Sequence, residues 1–247
     1  MNILNKIEDL YLRNPESFLL IEIGANDGKM ADRMHDFVLK NNPISVMIEP
    51  LPDYFSELQN NYKHLCNVNY ENVAISNKNG FEVMTYIPKK RIKNKEVRFR
   101  MEGSSDNELQ NHWAGGLGSL YKDKNNLACP ELKEFQEEVE VKTSRIIDVL
   151  KKYNADSFEN IVIQTDCEGH DVVVLEDFPF DYIKPDIYIS EISFNALRWP
   201  KNHPKHGTNS GLYSKSEYNK ARDIFLKNGY ELIQKNDLIA INKTNSF

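Results

Sequence analysis

Leu19-Leu20-Ile21-Glu22-Ile23-Gly24-Ala25-Asn26-Asp27-Gly28 is the stretch on which the fold turns. Its apolar run has the length of a buried strand, and Met30, Met34, Phe37 and Val38 beyond it repeat at helical spacing. The segment reads as strand, tight turn and helix, the helix being expected over about 29–40. Gly24 and Gly28 carry no Cβ and accept positive φ, so a nucleotide-like ligand can approach the backbone there. The helix opening after them is expected to offer unpaired amide donors.

A second strand pattern, Ile44-Ser45-Val46-Met47-Ile48-Glu49-Pro50, ends in an acid 21 residues beyond Gly28. A carboxylate at that place can accept hydrogen bonds from both hydroxyls of a ribose, as in dinucleotide-binding folds. Pro50 and Pro52 then lead into a helix with Tyr54, Phe55, Leu58 and Tyr62 on its apolar side, which gives two βα units in succession.

The 247 residues, 40% of them hydrophobic, suffice for one sizeable core, and a single domain over 1–247 with an insertion at about 88–136 is expected. A net charge of −6 argues against nucleic acid as a partner. Cys66, Cys129 and Cys167 show neither metal nor disulfide spacing, which points to reduced thiols and a cytoplasmic protein. Residues 1–13 form an amphipathic stretch with Ile3, Leu4, Ile7, Leu10 and Tyr11 on one face, and read as neither a signal peptide nor a membrane span.

Further along, a third strand is expected over Val68–Ile75, joined through Asn77-Lys78-Asn79-Gly80 to the alternating run Phe81–Ile87 as a hairpin. Between Pro88 and Gln136 periodicity fails. The segment, with its basic run Lys89–Lys95 and glycine-rich Gly115–Ser119, reads as a substrate-side insertion, a lid, binding loop or disordered piece, the basic run being a solvated face or a contact for an anionic substrate. Pattern returns at Val139–Lys142, followed by a helix from Thr143 or Ser144 through Leu150. The strand Ile161–Asp166 runs into Cys167-Glu168-Gly169-His170-Asp171 and a short helix through Leu175. A strand Ile187–Ile192, a helix of about 216–228 and an antiparallel hairpin, Tyr230–Gln234 with Leu238–Ile241, complete the pattern.

In an open α/β sheet ligands bind beyond the carboxyl ends of the strands, and Gly24, Glu49, Asp166 and Glu191 all fall at such ends. With these residues in view, the chain resembles the FkbM-type methyltransferases. The matching pieces are Glu22–Gly28, Ile48-Glu49-Pro50, Asn72-Val73-Ala74-Ile75, Gly118-Ser119-Leu120, Thr143–Leu150 and above all Thr165-Asp166-Cys167-Glu168-Gly169-His170-Asp171-Val172-Val173-Val174-Leu175. Gly229-Tyr230-Glu231-Leu232 and Asn236-Asp237-Leu238 are similar too, so that the likeness covers most of 18–242.

The resemblance implies a class I methyltransferase fold: α/β, Rossmann-like, with a seven-stranded, mostly parallel sheet whose last strand is antiparallel. It implies S-adenosylmethionine as cofactor, held by Glu22, Gly24, Ala25, Asn26, Gly28 and Glu49, with Asn72 and Ala74 near the adenine. O-methyl transfer to a hydroxyl of a saccharide or glycoconjugate, such as a capsular or exopolysaccharide precursor, is the expected activity. Transfer to a phosphate-like oxygen or to a lipid or polyketide hydroxyl, and cofactor binding without turnover, are the alternatives. The 88–136 insertion and the His/Pro-rich segment 198–211 depart from the family pattern and would overhang the acceptor.

Asp166 and Glu191 are the candidate catalytic carboxylates, either as a buried base or as two ligands of a hard cation such as Mg²⁺. His170, and more distantly His112, His203 and His206, are further candidate bases. Glu168 and Gly169 read as turn-shaping residues, and Trp113 as a packing residue or a sugar-stacking ring. The sequence leaves homo-oligomerisation open.

Overall fold

A computed structural model describes residues 2–30, 32–97, 111–121, 130–192, 213–234 and 237–244. The strands are β1 (Phe18–Ile23), β2 (Ile44–Ile48), β3 (Val68–Glu71), β4 (Ala74–Ile75), β5 (Gly80–Tyr86), β6 (Glu137–Ser144), β7 (Asn160–Thr165), β8 (Ile187–Ser190), β9 (Tyr230–Gln234) and β10 (Leu238–Asn242). The helices are α1 (Ile3–Arg13), α2 (His35–Asn41), α3 (Pro52–Tyr62), α4 (Lys89–Lys93), α5 (Ile146–Lys152), α6 (Asp171–Glu176) and α7 (Lys215–Lys227).

β1 is the centre of a seven-stranded sheet of order β3-β2-β1-β7-β8-β10-β9. All six of its residues are buried, because parallel neighbours flank it and helices cover both faces, which is why it reads as an unbroken apolar run. Leu19, Ile21 and Ile23 point into one core with Ile146, Leu150 and Val174. Phe18 and Leu20 point into the other with Ile7, Leu10, Leu58 and Tyr62. β10 alone runs against the rest, pairing antiparallel with both β8 and β9, as expected for the last strand.

Local chemistry explains most boundaries. Asn2 caps α1 by accepting from the Leu4 N–H, Pro52 opens α3, and Ser214 with Glu217 forms a reciprocal capping box on α7. Three expectations are corrected. The helix after Gly28 begins at His35 rather than near 29, because Asp27 Oδ1 takes the Lys29 and Met30 N–H groups and Asp32 Oδ1 takes that of Met34. The donors of this segment are thus turned onto its own carboxylates, and no long helix opens at the glycine loop. The helix expected from Thr143 or Ser144 begins at Ile146, since those two residues still pair with β4 as the end of β6.

The third correction is topological. Val68–Ile75 is broken at Asn72, whose side-chain amide donates to the carbonyls of Glu49 (2.8 Å) and Pro50 (3.0 Å) and bends the chain away from β2. The expected hairpin with 81–87 does not form. β4 and β5 instead flank β6 in a separate three-stranded sheet, parallel and antiparallel to it respectively. Ala74, Met84 and Val141 of this sheet pack on Leu51 and Tyr54 at the start of α3. The anticipated insertion, about 88–136, runs between β5 and β6 of this second layer. Its start is tied back by Lys89, whose ammonium lies 2.5 Å from both Asp27 and Glu57.

Candidate active site

The parallel ladder continues one residue past each central strand. Gly24 N–H and Ala25 N–H both donate to the Ile48 carbonyl (2.9 and 3.0 Å), Asp166 N–H to that of Ile23 (2.9 Å), Glu191 N–H to that of Thr165 (3.1 Å) and Glu49 N–H to that of Glu71 (3.0 Å). Gly24, Glu49, Asp166 and Glu191 thus share one edge of the sheet, where the sequence pattern places them.

Gly24 has φ +82°, and a Cβ there would lie 1.8 Å from the Asp166 carbonyl oxygen. Close approach of two strand ends is what excludes a side chain. Gly24→Ala is expected to cost about 3 kcal/mol from overlap and backbone strain together, read as a lower urea midpoint at unchanged m value. Gly28 also has positive φ (+69°), and a Cβ there would run into Tyr62 (2.4 Å) and Leu58 (2.6 Å) of α3.

Between these glycines Asn26 adopts the left-handed region (φ +52°) and donates its N–H to Glu49 Oε2 (2.9 Å), while Leu51 N–H donates to Glu49 Oε1 (2.8 Å). Glu49 is only 4% exposed. Burial pushes its pKa up to about 7 despite these two bonds, with the nearby Asp53 and Asp166 adding to the rise. Each of its oxygens keeps a second lone pair for an incoming donor. Ala25 is buried and contributes its backbone. Asn72 spends its amide on the Glu49-Pro50 backbone, and Ala74 lies in the small sheet's core beside Leu51 and Tyr54.

Glu22 is 1% exposed, and neither carboxyl oxygen has a hydrogen-bond partner among the described residues; the same holds for Gln164 Oε1 on the neighbouring strand. Burial, then repulsion from Asp32, drives the Glu22 carboxyl far above its ordinary range. Asp32 itself is pushed up to about 6, chiefly by burial, against hydrogen bonds from Met34, Gln164 and Tyr62 and the His35 ring. Tyr62 donates to the Gly28 carbonyl and His35 Nδ1 lies 2.7 Å from it, which fixes the end of the glycine loop. Asp32 and Gln164 were not singled out from the sequence, and Tyr62 was read only as a residue of the apolar side of α3. An acid four residues past Gly28 is the one signal available, and the helical reading of that segment concealed it.

On the other side of β1, Asp166, Glu168 and Glu191 bring one carboxylate oxygen each within 4.8 Å of one another. Asp166 is solvent-accessible yet crowded. Desolvation raises it to about 6, a hydrogen bond with Glu191 and the Arg33 guanidinium lower it, and Asp171 and Asp237 raise it. Glu191, hydrogen-bonded to Asp166, is driven well above the ordinary carboxylate range by burial and by the Asp166 charge. Its Oε2 is buried without a partner among the described residues. Arg33 pairs with Asp237, tying the segment before α2 to the start of β10.

The loop carrying these acids is held from below by Asp171, which is fully buried and accepts from Cys167 N–H (3.0 Å), Ser190 Oγ (3.3 Å) and the Tyr213 hydroxyl. His170 points elsewhere. Its ring packs at a tilt against Tyr121, centroids 5.3 Å apart, and its Nε2 lies 3.2 Å from Ser76 Oγ, on the side of the small sheet. His112 and Trp113 have no described side chains, and His203, His206 and the 198–211 segment lie outside the described residues.

Finally, Gly115–Ser119 crosses between the two halves of the edge. Asn26 Nδ2 donates to the Gly115 carbonyl (3.1 Å) at one end, and Ser119 Oγ donates to the Glu168 carbonyl (2.8 Å) at the other.

With this geometry established, comparison with protein families finds a match to the methyltransferase FkbM domain over residues 22–232. The chain belongs to this family. No curated protein matches it. As an FkbM domain it is an S-adenosylmethionine-dependent methyltransferase, and its sheet has the class I order with the antiparallel strand inserted next to β8. The matched span begins at Glu22 and takes in both carboxylate groups and the small sheet. Among the described residues no helix is long and apolar enough to cross a membrane.

Proposed function

We propose that this FkbM domain is an O-methyltransferase for a hydroxyl of a saccharide or glycoconjugate, built as one domain with the small sheet embedded in it. The observation that carries the reading is the Asp166–Glu191 pair, two hydrogen-bonded carboxyls both raised by burial, at the strand ends beside the glycine loop. Hydroxyl methylation needs such a group, because an alcohol must lose its proton as the new C–O bond forms, whereas a thiol or amine is already nucleophilic. Reduced thiols suggest the cytoplasm as its place.

Bound S-adenosylmethionine supplies an electrophilic methyl group on a sulfonium. The residues present fit it. Glu49, with a free lone pair on each buried oxygen, suits the ribose hydroxyls. Gly24, Ala25, Asn26 and Gly28 form the backbone cradle. The surplus of acceptors at Glu22 and Gln164 suits the ammonium of the methionine part, which would satisfy oxygens that have no donor among the described residues. Asn72 and Ala74 support the adenine side by holding the Glu49-Pro50 turn and the wall beside Leu51.

At the acceptor, Asp166 takes the hydroxyl proton while Glu191 keeps its own and holds Asp166 in place. The same oxygens, with Glu168, suit a hard divalent cation such as Mg²⁺, which would replace the shared proton and lower the hydroxyl pKa directly. His170 would then steady the loop through Ser76 rather than handle the proton.

Incubation with methyl-labelled cofactor and a panel of nucleotide sugars, capsular fragments, phosphorylated sugars and lipid or polyketide alcohols tests the acceptor class. Label in a saccharide hydroxyl is the expected result, whereas label confined to phosphate oxygens or to the lipid and polyketide members would refute it. A further expectation concerns the buried Glu22. Glu22→Gln removes an acid that must either be buried charged or hold its proton, so the ligand-free protein should gain about 1–3 kcal/mol at pH 8 in denaturant titrations while cofactor affinity falls.

A further inference from the structure

We propose that Ser119 is a positioning residue that sets the third carboxylate, Glu168, at the catalytic edge, so that the small sheet completes the site begun by the large one. The inference rests on the reading of Asp166 and Glu191 just given. Ser119 is fully buried, and its backbone exchanges two hydrogen bonds with Thr85 of β5 (2.9 and 3.0 Å), which fixes it to the small sheet. A serine hydroxyl has a single donor. Here that donor is spent on the Glu168 carbonyl (2.8 Å), while the same oxygen accepts from Tyr121 N–H (3.1 Å).

The peptide between Glu168 and Gly169 is held at both polar atoms, since Gly169 N–H donates to the Tyr213 hydroxyl (3.1 Å), which in turn donates to buried Asp171. Glu168 keeps φ at +46°, a conformation that residues with a Cβ rarely adopt, and Gly169 follows at +100°. Strain of this kind persists only where the surroundings over-determine it. Its consequence is that the Glu168 carboxylate stands with those of Asp166 and Glu191. The buried Glu191 Oε2, with no partner among the described residues, is an independent sign that this cluster faces a ligand.

The test uses the full chain loaded with S-adenosylhomocysteine, and Mn²⁺ as the spectroscopic stand-in for a hard cation. Ser119→Ala is expected to weaken Mn²⁺ binding, read by electron paramagnetic resonance, at least tenfold while leaving S-adenosylhomocysteine affinity within twofold. Ser119→Thr, which keeps the hydroxyl, should restore it. Crystal structures should show Glu168 at negative φ in Ser119→Ala and at positive φ in the wild type. Wild-type Mn²⁺ affinity together with an unmoved Glu168 in Ser119→Ala would overturn the proposal. Should the wild type bind no Mn²⁺, the metal reading of the cluster falls, and the Glu168 backbone in the variant crystals decides the role of Ser119 by itself. If the alanine variant does not fold, Ser119→Cys, of similar volume but with a weak donor, carries the same comparison.

Discussion

Asp166→Asn is expected to lower methyl transfer by about 10² to 10⁴ while preserving shape and cofactor affinity. The amide is isosteric, but it cannot accept a proton at the acceptor oxygen, and it leaves Glu191 facing a neutral neighbour. If the carboxylates hold a cation, wild-type activity should also vanish with chelator and return with Mg²⁺ or Mn²⁺. Single-turnover rates at saturating cofactor, with calorimetric titration of S-adenosylhomocysteine as the control, make the measurement. Normal turnover in Asp166→Asn would refute both forms of the mechanism. Lost cofactor binding in a folded variant would move this carboxylate to the cofactor side.

Glu49→Ala is expected to weaken cofactor binding by roughly tenfold to hundredfold, the value of charge-assisted ribose bonds of about 1.5 to 3 kcal/mol. The pH dependence follows from its pKa of about 7 against an ordinary 4.5. Only the ionised carboxylate accepts from both hydroxyls and both amides, so affinity should rise as pH increases through about 7 and level off above it. Stability runs the other way. The folded protein binds this proton more tightly than the unfolded chain, so the contribution is complete below about 4.5 and is lost as pH climbs through about 7, by up to about 3 kcal/mol. Glu49→Gln should flatten both profiles. An affinity in the wild type that does not change between pH 6 and 8 would contradict the assignment.

Much of this architecture is legible in the chain because β1, β2, β7 and β8 are buried on both faces, and burial imposes near-continuous apolar runs that end abruptly at Gly24, Glu49, Asp166 and Glu191. Parallel strands that begin level also end level, so the four breaks fall on one edge. The less legible parts depend on partners distant in sequence. β5 alternates as any half-buried strand does, and nothing in its own residues says that its partner is Glu137–Ser144 rather than the nearby third strand. The fork at Asn72 is a side-chain amide reaching two carbonyls 22 and 23 residues away.

By itself, then, the sequence determined the fold class and the edge on which Gly24, Glu49, Asp166 and Glu191 fall, since strand length, glycine placement and terminal acids are local properties that burial writes into neighbouring residues. Only the tertiary structure decided that Asp32 and Gln164 lie beside Glu22, that burial raises both Asp166 and Glu191, and that the Ser119 hydroxyl reaches the Glu168 carbonyl. These are relations between groups 10 to 142 residues from one another that come within a few ångströms through packing. A pKa or a strained φ belongs to such a neighbourhood, and no stretch of the chain carries it alone.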